Sequence, residues 1–246
     1  MAVSLRIKTQ PICEPVSKDL LKNQLYLSTS LDDSLLDVYI QAAREYIEGF
    51  TNRSFIKKTY EMRLAWLPLF DYRQQGYVTG NAPTPGWYNG LWVADSLKIK
   101  LYRPNLVPGS SRMTCIDLNG GSNNLVGATD YQEGAYSEPA ILLPKPGLFW
   151  PWTQYSNPEA VVITYDASCA DEAAITAALE TSPPGDEIAL RQAAVPGWAK
   201  LAILMLAAHF FEHREAVTDL KLSELPLGIK NIISMYLCED FCPTRG

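Results

Sequence analysis

The sequence is poor in the residues on which most enzyme and membrane signatures depend. It contains two histidines, His209 and His213, and no Gly-x-Ser-x-Gly, P-loop or Gly-x-Gly-x-x-Gly motif. The longest apolar stretch, 198–211, includes Lys200 and is shorter than the roughly 20 residues that span a membrane. We therefore expect no membrane segment, and the absence of an apolar stretch near Met1 predicts no secretory signal.

Basic residues and cysteines are also scarce. The chain carries 21 Lys and Arg against 27 Asp and Glu, for a net charge of −6. This balance disfavours a broad basic face that would grip the phosphates of nucleic acid. The five cysteines are odd in number and scattered, which is not the pattern of a disulfide framework and predicts reduced thiols.

Hydropathy periodicity indicates an α+β protein. Apolar residues recur at helical spacing in 35–47, 201–211 and 229–237, whereas 60–66 and 97–101 alternate between apolar and polar residues. These two periods are typical of amphipathic helices and of half-buried strands, respectively. The helix beginning at Trp198 is apolar on most faces, so we expect it to be the central core element.

The order of these patterns predicts the domain organisation. We expect a helical body built from residues 1–58 and 196–246, with an antiparallel β domain, 59–165, inserted between them. The β domain contains a long loop, 68–96, rich in proline and glycine. Residues 166–195 form an acidic insertion with six acidic residues and one basic residue, Arg191. So many carboxylates cannot be neutralised by one arginine, and we expect this stretch to remain unburied.

One motif favours an enzyme. His209, Glu212 and His213 have the H-x-x-E-H form of a zinc-binding helix, in which two histidines share a face and the glutamate acts as a base. A third ligand would have to be a downstream carboxylate such as Glu215 or Glu239. A zinc-dependent hydrolase is therefore one alternative; the other interpretation is that His209 ends a core helix and His213 is solvated.

Aromatic residues cluster in the long loop. Trp87, Tyr88 and Trp92 stand in it with few basic residues nearby. Exposed aromatic rings can stack on sugars or contact a protein partner. The loop is therefore a candidate partner-facing surface, and a carbohydrate-binding module is the second alternative function.

Several segments occur in a recognisable order along the chain. They are Glu14–Ser17, Ala42–Glu48, Leu101–Pro104, Asp130–Tyr131, Ser137–Ala140, Ala207–Val217 and Leu225–Leu227. Together they resemble the head–tail connector (head-completion, adaptor) family of tailed bacteriophages. The resemblance covers most of the chain, while the 68–96 loop and the 166–195 stretch are longer than the family pattern.

The resemblance implies a structural virion protein, with no catalysis and no cofactor. Family members form a ring, usually of twelve subunits, beneath the portal protein. The ring extends the channel through which double-stranded DNA passes without specific binding, and it provides the docking surface for the next neck or tail protein. The expected location is the neck of the virion, and the host cytoplasm during assembly.

The resemblance also implies a portal-binding C-terminal segment. In this chain the segment is 236–246, with Tyr236, Leu237, Phe241 and Arg245 as candidate contacts. It has too few apolar residues to form a core layer, and buried aromatic and arginine side chains dominate interface energies.

The acidic stretch has two alternative locations in such a ring. Asp171, Glu172 and Glu180 are candidate channel-lining residues, because an acidic lumen repels DNA phosphates and lets the duplex slide. A solvated outer loop explains the same composition equally well.

Overall fold

The computed structural model describes residues 3–28, 33–68, 97–103, 105–154, 156–180, 186–213 and 227–238. Within these ranges the chain forms eight strands and six helices, which confirms the α+β class. In chain order the elements are β1 (Val3–Thr9), α1 (Lys18–Leu25), α2 (Asp33–Thr51), β2 (Lys58–Leu64), β3 (Ile99–Lys100), β4 (Arg112–Ile116), β5 (Ser122–Leu125), β6 (Tyr131–Gly134), β7 (Ile141–Pro144), β8 (Val161–Ala167), α3 (Glu172–Leu179), α4 (Glu187–Ala194), α5 (Gly197–Glu212) and α6 (Leu227–Ser234).

The chain divides into two compact units. The β unit consists of Met1–Thr9 and Thr59–Asp166, and the helical unit consists of Gln10–Lys58 and Ala167–Gly246. The sequence predicts a β domain over 59–165, whereas the β unit also includes the N-terminal residues up to Thr9. The prediction that all of 1–58 is helical is wrong at its start, because β1 pairs antiparallel with β2.

Strand β1 has a visible sequence signal that the periodicity analysis missed. Its apolar residues, Val3, Leu5 and Ile7, alternate with Ser4, Arg6 and Lys8, which is the period of a strand. The acidic stretch also differs from expectation, since it contributes α3 and α4 to the helical unit rather than forming a separate insertion.

The described strands of the β unit form two sheets. The five-stranded sheet has the order β1-β2-β8-β4-β5, and the three-stranded sheet has the order β3-β7-β6. Strand β8 shows why these residues form strands: Val161, Ile163 and Tyr165 are buried while the residues between them are half-exposed. The ring of Tyr165 stacks on Tyr60 of β2, with ring centroids 5.8 Å apart. Alternating apolar side chains and this aromatic pair therefore stabilise the sheet.

The helical unit is built around α2 and α5. Their buried side chains join those of α1, α6 and the intervening segments in one hydrophobic core. On α5 the fully buried residues are Ala199, Ala202, Ile203, Leu206 and Ala207. Leu204 packs against this core but is only partly buried. The central helix that the sequence predicts is thus α5.

The described residues contain no single helix that is long and apolar enough to cross a membrane. The pair α4 and α5 meets that length and composition only when taken together, and the two helices are bent by 98°.

Candidate functional site

The acidic stretch places its carboxylates at helix ends. Asp171 caps α3, because its Oδ1 accepts hydrogen bonds from the backbone N–H groups of Ala173 (3.1 Å) and Ala174 (3.2 Å). Glu180 lies at the other end of α3, and both acidic side chains are exposed. The position of Asp171 follows from the preference of N-cap sites for aspartate. The Asp171 and Glu180 side chains are therefore exposed to solvent.

Glu172 does not share this exposure. Its side chain is 11% exposed, and Arg191 Nη1 donates hydrogen bonds to both of its carboxylate oxygens, at 2.8 and 3.0 Å. Arg191 Nε also donates to Glu187, one turn earlier on α4, at 2.9 Å. The expectation that the whole stretch remains unburied is wrong here, because the ion pair holds α3 against α4. Glu172 therefore stabilises the packing of α3 against α4 within the helical unit.

The start of the predicted portal-binding segment is tightly held. Tyr236 stacks on Trp198 of α5, with ring centroids 4.1 Å apart and planes parallel to within 1°. Leu237 is half-buried, and the other two residues predicted to contact the portal, Phe241 and Arg245, lie outside the described residues. The structure therefore shows the first residues of the segment and the contact that holds Tyr236 against the helical unit.

The aromatic loop is not among the parts of the chain that the structure describes. Trp87, Tyr88 and Trp92, the candidate partner-facing residues, all lie outside the described ranges. The carbohydrate-binding alternative depends on the same three side chains.

The two histidines come together at the end of α5. The rings of His209 and His213 lie with centroids 4.5 Å apart, as one helical turn of spacing predicts. Among the described residues no group of three or more His, Cys, Asp or Glu side chains could hold a metal ion. The downstream carboxylates available as third ligands, Glu215, Glu224 and Glu239, fall outside those residues.

A buried charge network lies in the helical unit, and the sequence analysis did not single it out. Arg44 Nε donates to Glu14 over 2.7 Å, and Arg44 Nη1 donates to Glu48 over 3.0 Å. Lys58 also donates to Glu48. The i,i+4 spacing of Arg44 and Glu48 is a sequence signal, but the spacing alone does not reveal that the pair is buried.

A second ion-pair cluster lies in the β unit. Arg6 of β1 and Arg63 of β2 both contact the Glu61 carboxylate, at 2.7 and 2.8 Å. The hydrogen bond from Arg6, followed by that from Arg63, lowers the pKa of Glu61, although its burial acts in the opposite direction. The pairing ties the edge strand β1 to the sheet.

The β unit also presents an apolar surface that the sequence analysis missed. Leu148, Phe149 and Trp152 are each about half exposed or more, at 47%, 61% and 58%. Between them, Trp150 is buried and donates through Nε1 to the Leu97 carbonyl at 2.7 Å. Exposed aromatic groups of this kind are typical of interaction surfaces. The sequence signal for this surface is the density of aromatic residues in 148–152.

The same unit has an open groove of about 770 Å³. Its walls come from β4, β5, β6 and the turns beside them. The lining residues are Gly109, Arg112, Met113, Thr114, Asn124, Leu125, Val126, Gly127, Ala128, Gln132 and Glu133.

Comparison with known proteins gives a family match over part of the chain. Residues 19–75 match the family model described as phage gp6-like head-tail connector protein. This match spans most of α1 and all of α2 and β2, and it confirms the resemblance to the head–tail connector family. A search of curated protein sequences gives no match.

Similar folds occur in gene transfer agent (GTA) particles. A chain from the neck of the empty GTA particle, computed with C6 symmetry, superposes with a TM-score of 0.62 at 16% identity, over 95% of each chain. A chain from the virion of the native particle gives 0.60 at 16% identity, over 95% of this chain and 94% of that one. A chain from the native neck, computed with C12 symmetry, gives 0.54 at 17% identity, again over 95% of this chain and 94% of that one. At this identity the likeness establishes the fold.

Proposed function

We propose that the chain is a structural neck protein of a tailed phage or phage-like particle. It assembles as a ring, which we expect to contain twelve subunits, and docks on the portal protein. The ring extends the DNA channel and provides the attachment surface for the next neck or tail protein. The observation that carries this proposal is the connector-family match over residues 19–75 in a chain whose whole fold is similar to a neck protein over 95% of both chains.

The distribution of charge supports an acidic, DNA-repelling surface on the helical unit. The β unit carries nine basic and nine acidic residues, whereas the helical unit carries twelve basic and eighteen acidic residues. The net charge of −6 therefore lies wholly in the helical unit. An acidic lumen lets DNA pass without binding, and the exposed Asp171 and Glu180 side chains are the residues we assign to it.

The portal contact is assigned to the C-terminal segment, 236–246. A short segment can be anchored by few side chains, because a handful of buried aromatic and arginine residues dominates most interface energies. Phe241 and Arg245 are the residues of these types that we assign as anchors. We assign no catalytic step to the chain, and the neck of the particle is its proposed location.

Electron microscopy of the purified protein mixed with assembled portal tests the proposal. Rings stacked coaxially on portals are the expected result. A chain lacking residues 239–246 serves as the matched comparison and should form fewer such stacks. A full-length protein that remains monomeric and does not bind portals at micromolar concentration would refute the proposal.

A further inference from the structure

The residues that follow α6 are attached to the end of α2. Arg53 Nε donates a hydrogen bond to the Tyr236 carbonyl at 2.9 Å. Two residues later, the Cys238 N–H donates to the Thr51 carbonyl at 3.2 Å. The Cys238 side chain is buried. The chain is therefore held at two backbone points immediately before residue 239.

An aromatic series strengthens this attachment. Tyr236 lies flat on Trp198, and Trp198 meets Phe55 edge to face, with centroids 5.6 Å apart and planes at 78°. Phe55 is almost completely buried in the core of the helical unit. Because aromatic rings bury large areas and pack in defined geometries, such a series is an efficient anchor. It connects a surface tyrosine to the core in two steps.

We infer that Trp198 is a positioning residue for portal docking. By holding Tyr236, it sets the place from which the segment beyond Cys238 leaves the helical unit. This inference rests on the proposed function, in which that segment contacts the portal. A segment that starts from a defined point loses less conformational freedom when it binds, so its affinity is higher.

The experiment uses the full-length chain and four single variants. Tyr236→Ala and Trp198→Leu each remove the stack, whereas Tyr236→Phe keeps it. Met235→Ala is the matched control, since Met235 is the adjacent residue and is 77% exposed. Hydrogen exchange of the Cys238 amide, measured without portal, reports the attachment, and the affinity for assembled portal reports docking.

Both stack-removing variants should exchange the Cys238 amide at least tenfold faster and bind portal about tenfold more weakly, which corresponds to roughly 1.4 kcal/mol. Tyr236→Phe and Met235→Ala should behave as the wild-type protein does. Tyr236 lies at the surface, so its substitution leaves the core intact even if Trp198→Leu impairs folding. Unchanged exchange in Tyr236→Ala, or faster exchange with unchanged portal affinity, would overturn the inference.

Combining Tyr236→Ala with Trp198→Leu in one double variant distinguishes positioning of the segment from direct contact of Tyr236 with the portal. If Tyr236 acts through Trp198, the double variant binds portal no more weakly than either single variant, because both remove the same interaction. Additive losses would mean that Tyr236 touches the portal itself, which overturns the inference. Wild-type affinity after deletion of 239–246 would instead refute the proposed portal contact, so the two failures are distinguishable.

Discussion

Arg44 and Glu48 form an ion pair one turn apart on α2, at 3.0 Å, although their side chains are only 2% and 4% exposed. Glu48 also accepts hydrogen bonds from Lys58 and from the backbone N–H of Phe55, the latter at 3.0 Å. Arg44 reaches back to Glu14. One buried carboxylate thus joins the helix to the chain that follows it, and one guanidinium joins the helix to the chain that precedes it.

Removing the guanidinium should strongly destabilise the protein. In Arg44→Met the Glu48 carboxylate keeps Lys58 but loses a partner, and Glu14 loses its partner, so we expect a loss of about 3–5 kcal/mol in the free energy of unfolding. Urea denaturation measures it. Lys18→Met is the control, because Lys18 pairs with Asp37 at the surface and such pairs contribute little. Equal effects of the two substitutions would contradict the assignment of a buried network.

The two faces of α5 should respond differently to truncation. Ile203 is fully buried, whereas Leu201, two residues earlier, is 49% exposed. Ile203→Ala should cost about 2–5 kcal/mol, because it leaves a cavity in the core. Leu201→Ala should cost less than about 1 kcal/mol. Thermal or urea unfolding of the two variants measures the difference. A larger loss of stability in Leu201→Ala than in Ile203→Ala would contradict the assignment of the buried face of α5.

Glu61 should make the stability of the β unit depend on pH. Because Arg6 and Arg63 lower its pKa in the folded protein, the folded state binds this proton more weakly than the unfolded state does. The stabilising contribution is complete above the unfolded pKa, roughly 4.3, and is lost as the pH falls through the lower folded pKa.

Urea midpoints of the wild-type protein and of Glu61→Gln, measured from about pH 7 to about pH 3, test this dependence. The wild-type protein should be the more stable at neutral pH, and the difference should shrink in the acidic part of the range. Glu180→Gln, at an exposed position, controls for the loss of one negative charge. A difference that grows on acidification would contradict the sign of the shift.

Neutralising the exposed Asp171 and Glu180 should affect folding less than neutralising the paired Glu172. Asp171→Asn keeps the N-cap, since asparagine caps as well as aspartate, and Glu180→Gln changes an exposed side chain, so the double variant should fold normally. Glu172→Gln weakens the ion pair with the buried Arg191 and should cost roughly 1–3 kcal/mol. Urea denaturation of the double variant and of Glu172→Gln measures both effects.

DNA retention and ejection by particles assembled with Asp171→Asn/Glu180→Gln test the channel assignment. We expect altered retention or ejection, because the lumen would repel phosphates less strongly. Wild-type infectivity with that double variant would place both side chains on the outer surface instead.

Much of the architecture is visible as periodicity. The helical spacing in 35–47 and 201–211 corresponds to α2 and α5, and the alternation in 60–66 corresponds to β2. Strand β1 is not predicted, although Val3, Leu5 and Ile7 alternate with Ser4, Arg6 and Lys8 at the period of a strand. Periodicity identifies an element but not the partner that it packs against.

Local period and composition are enough to predict the α+β class and the central position of α5. The identity of the buried charges depends instead on the packing of the folded chain. Arg191 pairs with Glu172 across 19 positions, and Arg44 pairs with Glu14 across 30. Pairing over such distances depends on how helices pack, and no local pattern records it. For the same reason the sequence predicts Tyr236 within the apolar stripe of 229–237, but it does not reveal that this ring stacks on Trp198.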